Sequence, residues 1–263
     1  MRENQLHRVV SIRGIYFPLI DYSDALRTFE LWIQGGGAHQ VCIVNVHTLV
    51  SATKDPEYKR IFCDAAMNAM DGQPLRWYAN LVKHAGLKDR ICGPELMVKC
   101  LQYGVEKNWK HYLLGGKDEV LASLQQKLVA DIPGVRVVGV YSPPFRALTV
   151  EEEASIVEKI NSVRPDFLWV GLGAPKQEQW IYRHLQETRV PVQLGVGAAF
   201  DFHAGAIKRA PEAMQKVGLE WLYRVYKDPR LWRRYMSTNP VFLYYLLWDW
   251  IASKYSVLWK KDS

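Results

Sequence analysis

The chain has 263 residues, 49% of them hydrophobic and 23% charged, the proportions of a soluble globular protein able to bury one sizeable core or two small ones. Its net charge is +7, yet residues 208–263 alone hold 11 Lys or Arg against 5 Asp or Glu, together with 5 of the 10 tryptophans. That concentration argues against plain core and for a basic ligand surface or a membrane-interface element. Residues 1–13 are polar and charged, unlike a secretory signal, and the apolar run over 241–248 is too short to cross about 30 Å of hydrocarbon. Cys42, Cys63, Cys92 and Cys100 form no Cys-x-x-Cys pair and read as reduced, mostly buried thiols of a cytosolic protein.

In chain order, residues 8–12 and 14–17 read as short strands. Ser23 or Asp24 is expected to cap a helix through about residue 33, closed by Gly35, Gly36 and Gly37. Residues 40–46 form a buried strand running into Asn45 and His47. Asp55 and Pro56 open a helix expected to continue to about residue 68. Met70-Asp71-Gly72-Gln73-Pro74 is a turn by its Asp-Gly pair. Residues 75–84 and 94–106 are helical. A strand over 111–114 ends in Gly115 and Gly116 and leads into a helix over 117–130, and the next strand covers 135–141. Thr149 and Glu152 make a capping box for a helix to about residue 164.

The most informative stretch runs from Arg164 to Trp180. Pro165 breaks the preceding helix, 167–170 is apolar, Gly171 and Gly173 follow, and Pro175 precedes a segment of helical periodicity. This is the pattern of a buried strand, a glycine turn and a helix with proline near its start. The free N–H groups and partial positive charge of such a helix start suit an anion. Lys176, Gln177 and Glu178 lie there and are candidate ligand contacts; an ordinary strand-to-helix turn is the alternative. A last strand over 190–196 ends in Gly195 and Gly197, and beyond Ala210 the chain reads as helical. Strands alternating with helices predict an α/β fold, a Rossmann-like and largely parallel sheet flanked by helices. Ligands of such sheets bind at the carboxyl ends of the strands, where Asn45, Gly115, Gly173 and Gly197 fall. The expected division is an α/β core over 1–207 and a basic, aromatic helical appendage over 208–263 that associates with membrane.

Several side chains could carry chemistry. Asp71, on a turn where backbone can crowd a ligand, could act as a general base; the alternative is an aspartate bonding its own turn. Arg90, just ahead of a helix, could bind an anion bidentately or lie on the surface. Asp201 could hold a sugar hydroxyl, cap a turn or pair with Arg209. His47, His111 and His203 are scattered without metal-ligand spacing. No two aspartates are separated by one residue, so the Asp-x-Asp metal motif for a nucleotide diphosphate is missing. Gly171-Leu-Gly173 lacks the third glycine of the dinucleotide fingerprint, which weakens an NAD-dependent oxidoreductase as the alternative function.

Together these pieces resemble the bacterial WecG/TagA/CpsF glycosyltransferases. The matching residues are Asn45, Asp71-Gly72, Arg90 with Gly93, Leu114-Gly115-Gly116, Pro165-Asp166 and Gly171-Leu-Gly-Ala-Pro-Lys-Gln-Glu178. They continue with Gly195-Val-Gly197, Phe200-Asp201, Gly205, Lys208-Arg-Ala-Pro211, Gly218-Leu-Glu-Trp-Leu-Tyr-Arg224, Pro229-Arg230 and Arg233-Arg-Tyr235. The resemblance implies an inverting, metal-independent enzyme needing no cofactor. Such an enzyme moves a sugar from a UDP-sugar to a polyprenyl-diphosphate-linked monosaccharide on the inner face of the bacterial cytoplasmic membrane. By the same resemblance Asp71 is the base, Arg90 and Gln177 line the pocket, and Arg224, Arg230, Arg233 and Arg234 close over the diphosphate. The implied partners are those two substrates and an anionic membrane surface, with no nucleic acid; the sugar and the oligomeric state stay open. One departure is Ile43, where many members carry threonine, which puts donor choice in question.

Overall fold

The computed structural model describes residues 8–259, with side chains to residue 254. A hairpin of β1 (Val9–Ile12) and β2 (Ile15–Pro18) opens the chain. Its turn is Arg13 and Gly14, both at positive φ, 54° and 82°, which matches the twist of the paired strands. Then follow α1 (Tyr22–Gly35), β3 (His39–Val44), α2 (Val46–Lys54), α3 (Pro56–Asp64), β4 (Met67–Met70), α4 (Gln73–Lys83) and α5 (Gly93–Glu106). The second half runs β5 (Lys110–Gly115), α6 (Asp118–Asp131), β6 (Arg136–Tyr141), α7 (Val150–Val163), β7 (Phe167–Gly171), α8 (Lys176–His184) and β8 (Val192–Gly195). Four helices close the described chain without further strands. They are α9 (Ala199–His203), α10 (Glu212–Lys216), α11 (Glu220–Lys227) and the long α12 (Leu231–Trp259), with α9 packed on α5 and α6.

Six strands form one parallel sheet in the order β4-β3-β8-β7-β5-β6. Its central strands are buried on both faces, as parallel strands must be when helices cover each side. Val41, Leu113, Phe167, Trp169 and Leu194 pack on one face against α1, α5 and α6. On the other face, Cys42 and Val44 pack against α2, α3 and α4, and Leu114, Leu168 and Val170 against α7 and α8. The fold is thus the α/β arrangement the periodicity indicates.

Four local expectations are corrected. The helix opened by Pro56 stops at Asp64, and residues 67–70 are the edge strand β4. Met, Asn and Ala give little strand signal by themselves. Pairing to β3 decides it, and Asn68 anchors the bend by donating Nδ2 to the carbonyls of Phe62 (2.8 Å) and Tyr16 (3.0 Å). The apolar run after β3 is helix α2 rather than more strand, because Asn45 Oδ1 caps it, accepting from Thr48 N at 3.1 Å. The cap of α1 is Asp21, with Asp24 as the reciprocal partner three residues on. Pro240 lies inside α12 instead of starting it. The missing N–H costs one helical bond, but the helix continues because its next turn is seated on the core. Lys260 and Lys261, expected to end this helix, lie outside the described residues.

One face of α12 belongs to the core. Phe242 is buried among Leu49, Val50 and Tyr78. Arg13 pairs with Asp249 at 2.9 Å and its guanidinium lies 4.1 Å from the Tyr245 ring centroid, while Tyr78 Oη donates to Asp249. The other face leaves Leu243, Tyr244, Leu247 and Trp248 at least half exposed. Among the described residues no helix is long and apolar enough to cross a membrane.

Candidate functional site

A cleft of about 940 Å³ opens at the carboxyl ends of the parallel strands. Its floor comes from the strand-end residues Asn45, Asp71, Gly116, Gly171 and Gly195, and its far wall from Glu220, Trp221, Arg224 and Arg234 of α11 and α12. The sequence-predicted residues Asn45, Asp71, Arg90, Gly116, Gly173, Lys176, Gln177, Glu178, Asp201, Arg224 and Arg234 all line it.

The floor depends on two close approaches. A Cβ on Gly115 would sit 2.7 Å from the backbone of Gly171, and one on Gly171 would sit 2.6 Å from the Phe200 ring. Only glycine lets β5 and β7 end side by side here. Gln177 and Glu178 then project from the start of α8 beneath the turn. Gln177 Oε1 accepts from Gly173 N (3.1 Å), and its Nε2 donates to Glu178 Oε1 (2.8 Å). Tyr58 Oη donates to Glu178 Oε2 at 3.1 Å. Burial pushes the Glu178 carboxyl up, with these donors opposing. Asn45 uses its Oδ1 as the helix cap and for the Thr48 hydroxyl at 3.2 Å; its Nδ2 has no protein partner among the described residues. Ile43 borders the same floor, in contact range of Gly93.

Asp71 follows β4, held by a bond from its N–H to the Val44 carbonyl (2.8 Å). Its carboxylate lies 3.6 Å from an Arg90 guanidinium nitrogen. About a fifth of its side-chain surface, 21%, still opens into the cleft; protein crowds the rest. Burial raises its pKa to about 6, Arg90 pulls it down, and Glu220 and Glu95 push it up further. A carboxyl poised there can exchange a proton near neutral pH.

The basic residues divide into two sets. Arg224 and Arg234 form no ion pair within 4.0 Å among the described residues, although both border the cleft, and Arg224 lies 5.6 Å over the Phe202 ring. Burial depresses the Arg234 pKa, and its Nε has no hydrogen-bond partner among the described residues. His47, beside it, is held down to about 4 by burial and by that guanidinium. Burial raises Asp201, against Arg224 and Lys117. By contrast Arg230, 94% exposed, pairs with Asp228 at 3.2 Å, and Arg233 is exposed; neither lines the cleft. Arg209 sits just behind the lining, bound to Glu95 at 2.9 Å and donating to Cys92 Sγ at 3.0 Å rather than pairing with Asp201. Gly115 lies under the floor rather than on it. Sequence reasoning gave no site role to Glu95 and Lys117, nor to Glu220, Trp221 and Tyr235, although these three lie in the matched strings; a glutamate in a first helical turn is ordinary and does not stand out by itself.

The family model for the "Glycosyl transferase WecG/TagA/CpsF family" matches residues 10–256. Two proteins of Staphylococcus aureus, from strains MW2 and COL, are each 29% identical over 239 residues, covering 89% of this chain and 91% of theirs. Both are named N-acetylglucosaminyldiphosphoundecaprenol N-acetyl-beta-D-mannosaminyltransferase. A match across nearly the whole chain displaces the NAD-dependent oxidoreductase alternative. The chain belongs to the WecG/TagA/CpsF glycosyltransferase family and is a glycosyltransferase.

Proposed function

We propose that this enzyme transfers a sugar from a UDP-sugar to an amino sugar carried on a polyprenyl diphosphate, at the inner face of the bacterial cytoplasmic membrane, in the synthesis of a cell-surface polysaccharide. The names of the relatives make N-acetylmannosamine the first donor to test and a diphosphate-linked N-acetylglucosamine the first acceptor. The observation that carries the reading is one cleft holding a carboxyl poised near neutrality, Asp71, together with two guanidinium groups, Arg224 and Arg234, that no carboxylate pairs within 4.0 Å among the described residues. A base and a pair of cations suit transfer from a nucleoside diphosphate without a metal ion.

In this mechanism Asp71 takes the proton from the acceptor hydroxyl as the oxygen attacks the anomeric carbon. The bond from that carbon to the β-phosphate oxygen breaks in the same step, so the configuration inverts and UDP leaves with the electron pair. Arg90, Arg224 and Arg234 offset the charge that develops on the diphosphate, the role a metal ion fills in other transferases. Asn45 Nδ2 and the glycine turn ahead of Gln177 line the same cleft and offer polar contacts for sugar hydroxyls. Arg230 and Arg233, outside the cleft, then meet the lipid diphosphate as the acceptor docks.

The test is a panel of UDP-sugars offered with a short-chain lipid diphospho-N-acetylglucosamine and read by mass. Addition of one N-acetylhexosamine, undiminished in EDTA, is expected. A strict requirement for Mg²⁺ or Mn²⁺ contradicts the metal-independent part, and product from NAD chemistry alone contradicts the whole.

A further inference from the structure

Along the cleft wall five charged side chains, Asp71, Arg90 and Glu220 on the lining and Glu95 and Arg209 behind it, meet at the junction of α5 and α11. Arg90 stands between two carboxylates, 3.6 Å from Asp71 and 3.9 Å from Glu220. Arg209 likewise stands between Glu95 (2.9 Å) and Glu220 (3.5 Å). Tyr22 closes the set by donating to Glu95 at 3.0 Å and accepting from Cys92 N at 2.9 Å, and Arg209 donates to Cys92 Sγ. Three carboxylates therefore share two guanidinium groups. The Arg90 and Glu220 side chains are only 10% and 20% exposed, so solvent screens them weakly.

We propose that Glu220 is a positioning residue: from the first turn of α11 it draws Arg90 partly away from Asp71 and so keeps the base from being locked in an ion pair. The inference rests on Asp71 being the base. Without Glu220, Arg90 settles wholly on Asp71, and a carboxylate that is neutralised and stabilised in this way is a weaker base. Because α11 carries Glu220 and also Arg224, the wall that faces the substrate diphosphate is the wall that tunes the base. The groups facing Asp71 are then Arg90, Glu220, Glu95 and the Cys92 thiol.

The experiment reads the Asp71 carboxyl directly, by ¹³C NMR of the full chain labelled at aspartate, with D71N assigning the signal. In Glu220→Gln the Asp71 midpoint is expected to fall by about half a pH unit or more. The acid limb of kcat/KM should move down with it. Glu220→Asp, which keeps the charge, should restore both. An Asp71 midpoint that stays in place or rises in Glu220→Gln overturns the inference, even if activity drops, since a merely structural glutamate would lower the amount of active enzyme without moving the titration. Failure of the underlying reading looks different: D71N itself would turn over at a near-normal rate.

Discussion

At the scale of single residues, the base and its neighbours set the pH behaviour. Because Asp71 is raised to about 6 and must be deprotonated to accept a proton, kcat/KM is expected to climb as pH rises through about 6 and to level off above it. A pH–rate profile with its acid limb near the ordinary carboxylate value would contradict the burial argument. Gly171 has no room for a side chain on geometric grounds. Gly171→Ala drives a methyl into the Phe200 ring, 2.6 Å away and itself buried, and overpacking of this kind costs about 1–3 kcal/mol, readable as a lower denaturation midpoint. Asp71, Arg90 and Gln177 were singled out through the family resemblance; taken alone, an Asp-Gly turn, a surface arginine and an ordinary strand-to-helix turn were the commoner readings. Glu220 was not singled out, because its meaning lies in which arginines the fold brings beside it. Arg209 shows the same limit from the other side: the sequence offered Asp201 as partner eight positions away, and the fold delivers Glu95 and Cys92 instead.

At the scale of elements, α12 has two faces that should separate in experiment. Phe242 fills the core cluster under α2 and α4, so Phe242→Ala is expected to cost about 3–5 kcal/mol in urea unfolding. Leu247 and Trp248 are 50% and 60% exposed, so the double change to serine should leave stability within about 0.5 kcal/mol. We propose that this outer face meets the membrane, where aromatic and basic residues favour the headgroup layer of anionic lipid. The double variant should then lose flotation with anionic vesicles while keeping its unfolding midpoint. Unchanged flotation would place membrane contact elsewhere. The strand-and-helix alternation was readable because buried parallel strands are apolar runs ended by glycine. β4 was hidden because it has four residues and draws its conformation from pairing to β3, distant in sequence, and from the bonds of its own Asn68 to the Phe62 and Tyr16 carbonyls. The start of α12 was hidden because Pro240 is a strong local breaker, whereas packing against α2 and α4 holds the helix through it.

At the scale of the whole molecule, the cleft is completed only when α11 and α12 lie against the strand ends. A ligand that touches both sides should therefore stabilise the entire fold. UDP at 100 times its Kd is expected to add about 2.7 kcal/mol, seen as a rise in Tm, and this rise should shrink in Arg224→Ala and Arg234→Ala. A full rise in both variants would remove these guanidinium groups from the diphosphate. The sequence conveyed the sheet and most of the floor, since both follow from local pattern. It did not convey that the basic tail divides into two arginines turned into the cleft and two turned outward, because that depends on how α11 and α12 dock. The central claim is that Asp71 activates the acceptor hydroxyl, and transfer by Asp71→Asn measures it most directly. With folding and UDP binding shown intact, the single-turnover rate of this variant is expected to fall by about 10²–10⁴-fold; a rate within a few-fold of the parent enzyme would contradict the account.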